Sequence, residues 1–303
     1  MMFMVAGGLG LVPFRPEQQQ QRLRLSLSPE ETIDSSATRL SESFGGATED
    51  AASALGLAVD EGLTLLRLDF DPSLGDATYT TLKSSMEFVR SVGSIFARRY
   101  TKENETICFY FPDAGAAASA AQQWKVGTEE ALVPSKVRLA AFPRDAPRDT
   151  DAAFVLVCPR ASEAASAEKL VDDVARLQLK PTILVNPELV DMQSTGFGFA
   201  GRRLKQRLLD DFNTVYYLKT LPWGALAMTY PKRYSVYQED QLVDGGYKLI
   251  DIRDSLPNGD DLEEIYEAYQ DTLKKENKIQ DDGLSFDKLA SQFSKFADQF
   301  SKL

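Results

Sequence analysis

Between Leu63 and Leu221 short, nearly unbroken apolar runs alternate with longer segments of helical period, and this pattern excludes most folds. The runs are LTLLRLDF (63–70), ETICFYF (105–111), KVRLAAF (136–142), AAFVLVC (152–158), PTILVNP (181–187) and NTVYYLKTL (213–221). A strand covered on one face alternates apolar and polar residues, whereas a continuous apolar run marks a strand covered on both. Between the runs, residues 79–99 place Leu82, Met86, Val89, Val92 and Phe96 at helical spacing. Residues 113–124 read as a helix capped by Asp113, and 161–178 as one carrying Ala165, Leu170, Val174 and Leu177. Residues 200–211 form a basic helix.

Strands alternating with helices in this way predict an α/β fold with a largely parallel, Rossmann-like sheet and helices on both faces. An opening helix, TEDAASALGLAVDEG, begins at Thr48 and stops at Gly62. After Leu221 the pattern changes. WGALAMTYP, RYSVYQ and YKLIDIR are strand-like runs joined by short turns, one containing Asp244-Gly245-Gly246, and they predict antiparallel strands added at one edge. A helix over 260–275 and a polar linker, ENKIQDDG, follow.

The chain ends in the cleanest periodic signal of all. Phe286, Leu289, Phe293, Phe296, Phe300 and Leu303 follow alternating steps of three and four, which puts them on one stripe of an amphipathic C-terminal helix. Three destinations suit that stripe: the same domain, a partner helix or groove, and a membrane surface. Three regions result: a low-complexity leader over 1–46, one α/β domain over 47–275, and the linker with its helix over 276–303. The leader holds a short apolar start, Gln18 to Gln21, Arg22, Arg24 and many Ser and Thr. That composition suits organelle import, although Glu17, Glu30 and Glu31 depart from it.

Composition removes several function classes. The 303 residues include no histidine, so triads built on imidazole and every imidazole metal site are excluded. Cys108 and Cys158 lie inside apolar runs without metal-ligand spacing, which reads as core thiols or, if their strands are neighbours, a redox pair. No metal and no cofactor is implied. The net charge of -11 argues against nucleic acid as a partner, and residues 239–303 hold 16 acids against 8 bases. No apolar stretch reaches the roughly 18 residues of a membrane span.

Ligands of open α/β sheets bind beyond the carboxyl ends of the strands. Three such ends carry polar residues: Asp113, Arg160 and Asn186. Each has a plain explanation, as a helix cap, a surface residue and a turn former, and together they could line a crevice with Asp113 and Asp191 as acid and base. The other candidate is STGFGFAGRRLKQR, where Gly196, Gly198 and Gly201 stand in dinucleotide spacing before Arg202 and Arg203. It begins about eight residues after its strand, and the next strand ends in Lys219 rather than an acid. A phosphate or nucleotide site and a solvated basic helix are the two readings.

Several segments in one order resemble a known family: EGLTLLRLDFDP, FYFPDAGAAASAAQQW, FVLVCP, PTILVNPELVD, GFGFAGRRLKQRLLDDF, VYYLKTL and GALAMTYPKRYSVY. They are similar to an uncharacterised domain of plastids and cyanobacteria. It includes the low-photosystem-II-accumulation assembly factor and is also found fused to a chloroplast adenylate kinase. The likeness spans about residues 47–270 and departs at Tyr234, where the family has Trp. It implies a chloroplast protein, stromal or at the stromal face of the thylakoid, with the leader as a transit peptide. It further implies a non-enzymatic role in photosystem II assembly, with photosystem subunits or assembly factors as protein partners and peripheral thylakoid contact. It supplies no catalytic residues. The expectation is therefore a protein-binding factor, with Phe286, Leu289, Phe293, Phe296 and Phe300 as the docking stripe. The alternative is a nucleotide- or phosphometabolite-binding enzyme or sensor using the 196–207 loop.

Overall fold

The computed structural model describes residues 35–71, 81–176, 180–189, 198–243 and 245–275. Contacts divide the chain into Met1–Ala37, of which 35–37 are described, and Thr38–Leu303, which carries the fold. That fold starts earlier than the expected Thr48. Ser43 accepts a hydrogen bond from the Gly46 amide and caps α1 (Phe44–Asp60), so two glycines that read as the end of a leader form a first helical turn. Ahead of it, buried Thr38 donates its amide to Ser235 Oγ at 2.8 Å, and its hydroxyl accepts from the Thr229 amide at 2.9 Å. Residues 38–46 therefore belong to the folded unit. At the other end of α1, the amides of Gly62 and Leu63 bond to Val59 and Ala58 carbonyls. Gly62 sits at φ +86°, where glycine carries no steric cost, and the predicted stop holds.

The apolar runs become β1 (Leu65–Asp71), β2 (Thr106–Phe111), β3 (Val137–Ala141), β4 (Asp151–Val157), β5 (Thr182–Val185) and β6 (Asn213–Leu221). Between them lie α2 (Thr81–Tyr100), α3 (Ala114–Gln123), α4 (Ala164–Arg176) and α5 (Gly198–Lys205, extended by a π-turn over Gln206–Asp210). The later runs form β7 (Gly224–Thr229), β8 (Tyr234–Glu239) and β9 (Tyr247–Arg253), and α6 (Gly259–Lys275) follows. One nine-stranded sheet results, in the order β3-β2-β4-β5-β1-β6-β7-β8-β9. Its first six members pair in parallel and β6 to β9 antiparallel, as the sequence pattern predicts.

Right-handed crossovers decide which face each helix covers. The chain moves one way along the sheet from β1 to β2 to β3, then returns through β4, β5 and β6. Accordingly α1, α2 and α3 pack on one face, where Leu55, Phe88, Phe96 and Trp124 join Leu68, Phe109 and Val155. On the second face α4 and α5 pack over β2, β4 and β5 through Leu170, Val174 and Leu208. Also on that face, α6 places Ile265 and Leu262 over β7 and β8. The first face is tightly packed. Phe70 and Phe88 stack 4.3 Å apart, and a Cβ on Gly93 would stand 2.2 Å from the buried Phe109 ring. The open edge at β9 is guarded by an unpaired residue at Ile250 and by Lys248, Asp251 and Arg253.

Candidate functional site

The carboxyl ends of the parallel strands form two switch points, where neighbouring strands lead to opposite faces. One lies between β2 and β4, the other between β1 and β5. Strands β4 and β5 end alike, as Val-Cys-Pro and Val-Asn-Pro, and Cys158 and Asn186 both adopt positive φ, at +46° and +44°. Asparagine tolerates that backbone, and its side chain here has a defined task. Asn186 Oδ1 accepts from the Phe70 amide at 2.7 Å, while Nδ2 donates to the Phe70 carbonyl at 2.8 Å and to Ser85 Oγ at 2.6 Å. The side chain thus continues the β1–β5 ladder by one residue after its own backbone has turned away, and closes the second switch point.

Beside it, the Cys158 thiol is pushed up to about 12 by burial, a shift that a hydrogen bond with Ser85 only partly offsets. A thiol so placed stays protonated at neutral pH and makes a poor nucleophile. Cys108 is raised further, again by burial. Strands β2 and β4 are neighbours, but Cys108 stands opposite Phe154 in their register. Four residues of strand separate that position from Cys158, about 13 Å, and the two thiols enter different core clusters. The redox-pair reading is therefore closed by the register.

The other strand-end residues also hold partners. Asp113 accepts from the Ala116 amide at 2.8 Å as the N-cap of α3, as its position predicts. Arg160 forms a parallel backbone bridge with Glu188, and its Nε lies 3.4 Å from that carboxylate. The Arg160 amide donates to Glu163 at 3.0 Å. The fold thus joins Asn186 to Ser85 and Cys158, and Arg160 to Glu188. Asp113 bonds within its own helix, and Asp191 lies outside the described residues.

In the glycine-rich loop, Gly196 lies outside the described residues, Gly198 opens α5 and Gly201 falls within it. The basic helix is not simply solvated. Arg203 donates to Glu168 at 3.0 Å, Arg207 pairs with Asp172, and Lys205 stands 3.9 Å from Asp210. Arg202 is exposed. A dinucleotide site takes its ribose acid from the strand next door, but here β1 separates β5 from β6. The docking stripe from Phe286 to Phe300 lies outside the described residues. A small apolar void under α2, lined by Val89, Val92, Phe96, Phe109 and Ile183, offers a ligand no polar anchor.

A further surface went unread in the sequence. On the second face the α4–α5 cluster reaches Leu65 of β1, and the α6 cluster reaches Tyr217 and Leu221 of β6. The strip between has Arg67 and Asp69 of β1 paired at 2.6–2.9 Å and half-buried, with Tyr217, half-buried, and Lys219, exposed, on β6. Burial raises the Asp69 carboxyl above the usual range, against the pull of Arg67. Tyr217 meets Tyr234 edge-on at 5.8 Å. The signal for this strip was the alternation Arg67, Asp69, Asp71 inside an otherwise apolar run, which a strand covered on both faces does not show.

Among the described residues no group of acids and cysteines could hold a metal ion, and no helix is long and apolar enough to cross a membrane. A family model, Domain of unknown function (DUF1995), matches residues 42–264, and the chain belongs to that family. No curated protein and no solved structure matches it.

Proposed function

We propose that this member of the DUF1995 family is a protein-binding factor rather than a catalyst, and that it supports photosystem II assembly in a plastid. The observation carrying the first half is the use made of the strand-end side chains. Asn186 holds two backbone groups and Ser85, Arg160 holds Glu188, and Cys158 is a high-pKa thiol. Groups bound within the fold serve geometry, and activating any of them would mean breaking that geometry. The strip over β1 and β6 supplies surface for contact at the exposed Lys219, beside the half-buried Tyr217 ring and the largely buried Arg67–Asp69 pair. The plastid setting and the photosystem role rest on the sequence likeness and the composition of the leader. A tagged protein isolated from chloroplasts should retain photosystem II subunits or assembly factors, and its loss should lower photosystem II. Normal photosystem levels without it would contradict the assembly role.

A second reading is favoured by one observation: Gly198 opens α5 and Arg202 stands exposed on its first turns. A phosphate-bearing ligand suits that pairing. At about 100 times its dissociation constant such a ligand would stabilise the protein by about 2.7 kcal/mol. Thermal unfolding with nucleotides reads this directly, and Arg202→Ala should abolish the shift.

A further inference from the structure

We propose that Thr38 is a clasp fastening the first residues of the domain to its antiparallel strands, and that proteolytic removal of the leader ends upstream of it. The processed chain then keeps residues 38–46. The processing step rests on the organelle reading of the leader, whereas the clasp does not depend on that reading.

Every polar group of Thr38 is engaged. Its amide donates to Ser235 Oγ at 2.8 Å, and its carbonyl accepts from the Tyr237 hydroxyl. Its own hydroxyl donates to the Arg233 carbonyl at 3.1 Å and accepts from the Thr229 amide at 2.9 Å. These partners lie at the end of β7, in the turn after it and on β8, 191 to 199 positions further along the chain. Thr38, Ser235 and Tyr237 are all buried. A chain begun after Thr38 would give up these bonds at sites on β8 that the fold takes out of water, where polar groups need partners.

The next residues continue the attachment. Leu40 packs on the first-face core, Ser41 Oγ donates to Asp50 at 2.7 Å, and Ser43 caps α1. Arg39 and Glu42 are exposed instead and pair with each other at 2.8 Å. Residues 38–43 thus tie the start of α1 to the β7–β8 pair, and a cut inside them would part the two. Composition extends the leader to residue 46, but a protease needs a stretch free of the fold's contacts, and that stretch stops where these bonds begin.

Arg39 makes the clasp measurable, because its side chain is 86% exposed and trypsin cuts after arginine. In the folded full chain the Arg39–Leu40 bond should resist trypsin, while the same chain unfolded in urea is cut there. Thr38→Val keeps the shape and removes the hydroxyl, so cleavage after Arg39 should rise about tenfold. Thr38→Ser should restore the resistance. A native chain cut at Arg39 as fast as the unfolded one, or a Thr38→Val chain cut no faster than the parent, overturns the clasp. Mass spectrometry of the N-terminal peptide from chloroplasts tests the processing step, and that peptide should begin no later than Thr38. An intact leader, or a start at Arg39 or beyond, overturns the step. Absence of the protein from chloroplasts overturns it together with the organelle reading, while the trypsin result decides the clasp alone.

Discussion

Asn186 and Asp151 show how much of this fold is held by single polar side chains. Replacing Asn186 with alanine leaves the Phe70 amide and carbonyl without their side-chain partner in the core. Each unsatisfied buried group costs about 1–3 kcal/mol, so Asn186→Ala should lower stability to urea by about 3 kcal/mol. A loss near zero would mean that the ladder does not need its extension. Fully buried Asp151 receives Arg138 Nε at 3.0 Å, the Thr106 hydroxyl at 2.7 Å and the Arg148 amide at 2.8 Å. Burial alone would raise its carboxyl, but these bonds outweigh burial and hold it below the usual range. A depressed carboxyl contributes stability that is complete above the unfolded value, about 3.9, and lost as pH falls through the folded one. Asp151→Asn should cost about 3–5 kcal/mol at pH 7 and flatten the loss of stability below about pH 4, as urea melts across pH will read. The two residues differ in legibility. Asp113 could be read as a cap because a cap is local, whereas Asn186 bonds a strand 116 positions away.

At the level of elements, helices and strands follow from period and punctuation, but their neighbours do not. The sequence places β5 directly before β6, yet β1 lies between them, and this removes the dinucleotide geometry from the glycine loop. The start of α1 was missed because residues up to Gly46 read as a low-complexity leader, while the Ser43 cap acts through one side-chain bond. Packing between elements makes its own prediction. Gly93 lets α2 sit against Phe109, so Gly93→Ala should destabilise by about 1–3 kcal/mol through overpacking. Thermal unfolding that leaves Tm unchanged would show that the Phe109 ring can move aside.

For the whole molecule, the absence of histidine and the pattern of apolar strands carried the fold class and excluded imidazole chemistry. They could not reveal which polar side chains of β1 and β6 would be brought together, because that depends on where helices land rather than on which helices form. The bonded strand ends support the proposed role in contact. The most direct measurement of that claim is cross-linked affinity isolation of the tagged full chain from chloroplasts, with bound proteins identified by mass spectrometry. The account predicts photosystem II subunits or assembly factors among the cross-linked proteins, unchanged by Arg202→Ala. Isolation of the chain without any of them, together with a nucleotide-induced rise in Tm that Arg202→Ala abolishes, would contradict it.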